Sequence, residues 1–179
     1  MSKNWVALFS QTGSEILQIS KKIGRFPDKI LTTKSFTELD SINTELLEQT
    51  PGILFHVPKK PCTYVYRSFL NPNDIITLNG WLRIVPPDIC KVYNIYNGHP
   101  GLITEYPELK GKDPQKRAAS GTYDKIGCVI HKVMPVVDAG EIILSDSIKK
   151  LVSMTEEDII NILHDMSVNL WVKFLKDNL

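Results

Sequence analysis

Cysteine is nearly missing from this chain. The three residues present, Cys62, Cys90 and Cys128, are odd in number, far apart and without CxxC or paired Cys/His spacing. A disulfide framework and a zinc site are both unexpected, no metal is called for, and the three read as reduced, mostly buried thiols. Long hydrophobic runs are also absent. No apolar stretch approaches the roughly 20 residues needed to cross a bilayer, and MSKNWVALFS at the start has neither the h-region nor the cleavage site of a signal peptide, so a cytoplasmic protein is expected. Nor does charge of one sign dominate: 21 Lys and Arg stand against 20 Asp and Glu, which gives no general electrostatic reason to expect nucleic acid or an anionic membrane as partner. There is no internal repeat, low-complexity tract or linker to divide the chain. What is present is 179 residues, 42% of them hydrophobic, enough for one domain over 1–179 that buries roughly 70% of its unfolded surface.

Along the chain, short apolar runs alternate with helical patterns. WVALFS at 5–10 reads as a strand, QTGS as a tight turn, and EILQISKKI as a helix with Ile16, Leu17 and Ile19 on one face. KILTT at 29–33 is a second strand. SFTELDSINTELLEQTP reads as a helix capped at Ser35 or Thr37 and stopped by Pro51. ILFHV at 53–57, DIITLNG at 74–80 and YNIYN at 93–97 are further strands. The stretch 58–74, with Pro58, Pro61 and Pro72, has no clear pattern, and WLRIVPPDICKVY is short and irregular or helical around Pro86 and Pro87. After a polar loop over 101–114 come a helix near DPQKRAAS, two strands in GCVIHKVM and GEIILSDSI, and a capped amphipathic helix in TEEDIINILHDMSVNLWVKFLKDN. This predicts an α/β fold with a mostly parallel, doubly wound central sheet and a late mixed or antiparallel extension.

In such sheets the ligand site lies where strands end at their carboxyl side. Three segments deliver functional groups there: Asn97 and His99 after the fifth strand, Gly13 and Ser14 after the first, and Asp138 between the two late strands. Residues two apart on an extended backbone point the same way, so Asn97 and His99 face one substrate. An amide and an imidazole together suit an oxyanion. A nearby carboxylate, Asp138, is expected to raise the imidazole pKa and to assist proton movement.

NGHPG at 97–101, LNGWLRIV at 78–85, GCVIHKV at 127–133 and VVDAGEII at 136–143, in this order and spacing, resemble the motifs of the folate-dependent formyltransferases. The likeness is above all to those acting on glycinamide ribonucleotide, and more distantly to methionyl-tRNA and sugar-nucleotide formyltransferases. It is strong over 74–146, moderate over 5–20 and faint over 35–73. It implies a Rossmann-like formyltransferase fold and transfer of a formyl group from 10-formyltetrahydrofolate to a primary amine, glycinamide ribonucleotide or a related small amine, in purine biosynthesis. Asn97, His99 and Asp138 match the catalytic residues. Leu82, Arg83, Ile84 and Val85, with the loop from Pro135 to Gly140 that includes Val137, match the pterin pocket; Gly13, Ser14 and Pro100 match substrate contacts. Arg67 is a further candidate for holding the donor, and the resemblance leaves room for a homodimer.

The sequence also departs from the pattern. In SQTGSE at 10–15, Gln11 stands in place of a glycine and Glu15 in place of an Asn in the family's phosphate-accepting turn; a carboxylate beside a phosphate is unfavourable unless it points away. The loop TEYPELKGKDPQKR has Glu108 where a glycine is usual and adds Lys110, Lys112, Lys116 and Arg117, either a replacement for the phosphate grip or a solvated surface. No RNA-binding domain of the methionyl-tRNA type is expected. Two rival readings stand beside the main one: an N-formyltransferase for an amino sugar or modified nucleotide, and a folate-binding protein that has lost catalysis. His131 reads as a packing or hydrogen-bonding residue, His56 and His164 show no partner, Trp81 is a pocket wall or core residue, and Cys128 is a buried small hydrophobe.

Overall fold

Runs that are apolar at every position, such as WVALF, form strands only where both faces of a sheet are covered. That is their setting here, in a computed structural model describing residues 3–179. Strands β1 (Trp5–Phe9), β2 (Lys29–Thr32), β3 (Leu54–His56), β4 (Ile75–Leu78) and β5 (Ile95–His99) pair in parallel. β6 (Lys125–Lys132) and β7 (Ile142–Lys149) add on antiparallel, giving the order β3-β2-β1-β4-β5-β6-β7. The expected mixed sheet is therefore found. Trp5, Ala7 and Phe9 enter the core on one face, while Val6 and Leu8 enter the core on the other.

Six helices in the described residues cover the two faces. α1 (Ser14–Ile23), α2 (Thr44–Gln49), α5 (Pro114–Ser120) and α6 (Glu156–Asn178) supply the first core; α3 (Thr63–Phe69) and α4 (Pro87–Val92) supply the second. α6 buries Ile159, Leu163, Met166, Leu170 and Phe174 at helical spacing. Its start is fixed by a capping box between Thr155 and Asp158. Truncating a buried aromatic such as Phe174 to Ala would cost about 3–5 kcal/mol. α5 is closed by Lys150, whose Nζ donates to the carbonyls of Ala118, Ala119 and Gly121 at 2.8, 2.7 and 2.7 Å.

The chain winds outward from β1 to β3 and then crosses back to place β4 on β1's other side. The switch point lies between the carboxyl ends of β1 and β4, where a crevice opens. Gly13 makes the turn out of β1: its φ of 75° is left-handed, and an added Cβ would stand 2.5 Å from Leu46.

Four local expectations are corrected. The helix drawn over 35–50 is broken: a 3-10 turn at Phe36–Ser41 is followed by α2, capped by Asn43, whose side chain accepts from the Leu46 amide at 3.1 Å. The pattern-free stretch contains α3. β5 does not end at Asn97 but carries Gly98 and His99 within it. Cys62 is exposed, unlike Cys90 and Cys128.

Candidate active site

β5 positions two of the expected residues directly. In its antiparallel register with β6, Asn97 lies opposite His131 and His99 opposite Val129, so the amide and both imidazoles share one face of this strand pair. The strand reaches this position because Gly98 has no side chain. A Cβ there would stand 2.7 Å from the indole nitrogen of Trp171, which lies fully buried beneath it. The β6–β7 connection then returns Asp138 to the same place. It adopts φ 51°, one of two non-glycine residues in left-handed conformation among those described, so its turn-making and site roles coincide.

The carboxylate of Asp138 sits between the two rings. Oδ2 is 3.4 Å from His99 Nδ1, and Oδ1 is 3.3 Å from His131 Nε2; the Gly111 amide donates to Oδ2 at 2.8 Å. His99, His131 and Asp138 are all buried, while Asn97 is half-buried. His99 Nε2 lies 2.9 Å from the Leu109 carbonyl, and His131 Nδ1 lies 3.0 Å from the Lys132 carbonyl. Carbonyls only accept, so each ring carries hydrogen on the nitrogen facing one. The remaining nitrogens, His99 Nδ1 and His131 Nε2, both point at Asp138. Two neutral rings around an ionised carboxylate would place lone pair against lone pair at both contacts. An extra proton relieves this, so the cluster can take one up in passing.

Electrostatics departs from expectation at His99. Burial pushes its pKa below the usual imidazole value, and this outweighs the upward pull of Asp138 and of the Leu109 carbonyl; His131 and Arg117 push it down further. The expected rise is thus corrected to a fall, and a proton placed on this ring is readily given up. At Asp138 burial pushes the carboxyl upward, but the hydrogen bonds from His131 and the Gly111 amide and the nearby rings reverse it, so the net direction is down.

Around this cluster lies a cavity of about 870 Å³. Its wall on the α3 and α4 face includes Trp81, Leu82, Arg83, Ile84, Val85, Met134, Pro135 and Val137. On the α1 and α6 face it is lined by Gln11, Thr12, Gly13, Ser14, Glu15, Asn79, Asn161, His164 and Ser167; Pro100, Lys112 and Asp113 also border it. Glu15 faces the cavity but is tied down. It accepts from Asn79 Nδ2 at 3.1 Å and from Ser167 Oγ at 2.7 Å. The chain of bonds continues beneath it from Trp5 to Thr77 to Asn79 at 2.9 and 2.7 Å.

Most expected residues thus converge. Asn97, His99, Asp138, Leu82, Arg83, Ile84, Val85, Val137, Gly13, Ser14 and Pro100 all border the cavity. Gly140 does not: it packs against the Lys132 carbonyl so closely that any Cβ would collide with it. Arg67 is also elsewhere, paired with Asp88 at 3.2 Å on the surface. Of the four loop cations, Lys112 borders the cavity, while Arg117 is turned inward onto backbone. It donates to the carbonyls of Glu108, of Leu109 at 3.1 Å and of Lys110 at 2.7 Å. His131 is the member of this cluster that sequence reasoning read only as a packing or hydrogen-bonding residue. Its signal was a polar side chain in the apolar run of β6, whose partner on the neighbouring strand β5 was not visible in one strand.

The family described as "Formyl transferase" matches residues 67–175. A phosphoribosylglycinamide formyltransferase of Dictyostelium discoideum is 30% identical over 111 residues, covering 58% of this chain and 54% of that protein. A methionyl-tRNA formyltransferase of Sulfurihydrogenibium sp. is 34% identical over 98 residues, covering 54% of this chain and 29% of that protein. The chain therefore spans about half the length of the former and less of the latter. Among solved structures, phosphoribosylglycinamide formyltransferase from Campylobacter jejuni superposes with a TM-score of 0.81 at 19% identity, over 99% of this chain and 97% of that one; the fold is shared. Among the described residues no helix is long and apolar enough to cross a membrane.

Proposed function

Because the chain belongs to the formyl transferase family, we propose that it transfers a formyl group from 10-formyltetrahydrofolate to a primary amine. The favoured acceptor is glycinamide ribonucleotide, on which the Dictyostelium discoideum relative acts by its name. One observation carries the reading: an amide, two imidazoles and a carboxylate meet at the wall of a cavity large enough for a flat heterocycle and a small amine.

The donor supplies an activated formyl carbon on nitrogen. Its heterocycle suits the slot of Leu82, Ile84, Val85 and Val137, where apolar walls alternate with backbone groups able to hydrogen-bond. Attack by the amine places negative charge on the formyl oxygen. Asn97 Nδ2 lies 3.2 Å from His131 Nε2; even when that nitrogen is unprotonated and takes one amide hydrogen, the second is left for the formyl oxygen. His99 holds Leu109 with one nitrogen and Asp138 with the other, so it serves chiefly in proton traffic. The ammonium formed on attack gives its proton to the His99–Asp138–His131 cluster, and the cluster returns one to the leaving folate nitrogen as the carbon–nitrogen bond breaks. The products are the N-formyl amine and tetrahydrofolate, with no net proton taken up.

A second acceptor reading is favoured by Glu15. Among the described residues Arg83 and Lys112 are the only Lys or Arg bordering the cavity, and neither lies on α1 or α6, the helices that carry Glu15 and its partner Ser167. A hydroxyl-rich amine such as an amino sugar fits that face. Purified protein given 10-formyltetrahydrofolate and a panel of amines tests both: glycinamide ribonucleotide should be turned over best, an amino sugar turned over better would exchange the two readings, and no transfer to any amine would end the proposal.

A further inference from the structure

We propose that Arg117 is a positioning residue for the reaction, holding the segment 108–111 so that Leu109 fixes the His99 ring and Gly111 fixes the Asp138 carboxylate. This rests on the formyl-transfer reading above for its catalytic consequence, but its geometric core stands separately. One guanidinium spans three consecutive carbonyls, those of Glu108, Leu109 and Lys110. The planar fork of arginine can do this, whereas the single ammonium of lysine cannot cover all three. The middle carbonyl is shared: it receives Arg117 Nη2 at 3.1 Å and faces His99 Nε2 at 2.9 Å, so its two lone pairs are assigned to these two residues. One peptide further along, the Gly111 amide donates to Asp138 Oδ2 at 2.8 Å. Both partners of the reacting cluster thus come from a backbone stretch that Arg117 holds in place.

The arginine is dedicated to this task. No acidic side chain pairs with it among the described residues, and its buried Nε has no partner. It is itself anchored from below, since α5, which carries it, is closed by Lys150. Its uncompensated positive charge is one of the groups that disfavour a cationic His99. Losing Arg117 therefore has two separable effects. The Leu109 carbonyl is freed, so His99 is no longer held with hydrogen on Nε2; and a nearby cation is removed, so His99 titrates at higher pH. The groups facing His99 that enter this balance are Asp138, His131, Arg117 and the Leu109 carbonyl.

The test uses the full chain labelled with 15N at histidine, as wild type, Arg117→Ala and Arg117→Lys. Long-range 1H–15N spectra of the rings are followed across pH, alongside formyl-transfer kinetics. In Arg117→Ala the His99 signals should move to a mixture of tautomers and its midpoint should rise. The kcat should fall about tenfold or more, with the folate KM within about twofold of wild type because the donor wall is untouched. Arg117→Lys keeps charge without the fork, so its midpoint should stay near wild type while kcat remains low; it also supplies the result if the alanine variant does not fold. Unchanged His99 signals and midpoint, or a kcat that is unchanged or raised, overturns the proposal. If wild type transfers no formyl group to any amine, the formyl-transfer reading fails while the ring spectra still decide the positioning claim.

Discussion

The two faces of the sheet meet at one cavity and prepare their halves of it in different ways. On the α3 and α4 face, Leu82, Ile84 and Val137 are 64%, 72% and 55% exposed, so apolar surface is left open to solvent until something covers it. On the α1 and α6 face the polar groups are already bonded to one another, Glu15 to Asn79 and Ser167. The first face gains by burial on binding, and a ligand of many shapes can provide that. The second gains by adding hydrogen bonds to a group of fixed direction, which selects one kind of ligand. Donor binding should therefore be tolerant of detail, and acceptor binding exacting.

Substitutions can separate the centre from the two faces. Asp138→Asn should have the largest effect, lowering kcat by about 10²–10⁴ while both KM values stay near wild type; loss of binding on either face instead would deny that the centre is distinct from them. Asn97→Ala, which removes the candidate donor to the formyl oxygen, should lower kcat by about 10²–10³. Ile84→Asp should raise the folate KM about tenfold, equivalent to about 1.4 kcal/mol, without changing the acceptor KM. Equal changes in both constants would break the division between faces. Glu15→Gln keeps the shape and removes the charge, so the acceptor KM alone should shift, by about fivefold for one hydrogen bond of roughly 1 kcal/mol.

The smallest expected effect is on stability against pH. His99 and Asp138 both have folded pKa values below their ordinary ones. Between its folded pKa and the ordinary imidazole value near 6.5, His99 binds fewer protons folded than unfolded. Its contribution to stability is therefore complete above that value and declines as pH falls through the window. Asp138 behaves likewise at lower pH, beginning at the ordinary carboxylate value. Thermal midpoints should drop from pH 7 to pH 5, and the drop should be shallower in His99→Gln; an equally steep drop would assign it to other groups.

What the sequence disclosed follows from range. The β1–α1 unit and the common direction of Asn97 and His99 were legible because they depend on residues a few positions apart, through strand and helix periods. α3 was not, since it has seven residues and Tyr66 as its buried residue, too little for a period to register among three prolines. The helix over 35–50 failed for the reverse reason: its pattern continued across Ser41 and Asn43, where the backbone turns. The participation of His131 and the sign of the His99 shift both depend on what lies across the sheet and on how deep the ring sits, which no local pattern records. Glu15 was legible as a departure, but its partner Ser167 is contributed by α6, far along the chain.

Gly98 and Trp171 occupy the same few cubic ångströms from opposite ends of the sequence, one by omission and the other by bulk. Neither position can drift alone. A side chain at 98 would require a smaller residue at 171, and a smaller residue at 171 would leave the reacting strand over a hollow. Single changes at either position should be disabling where the matched double change is tolerated, so this pair of sites is constrained to vary jointly or not at all.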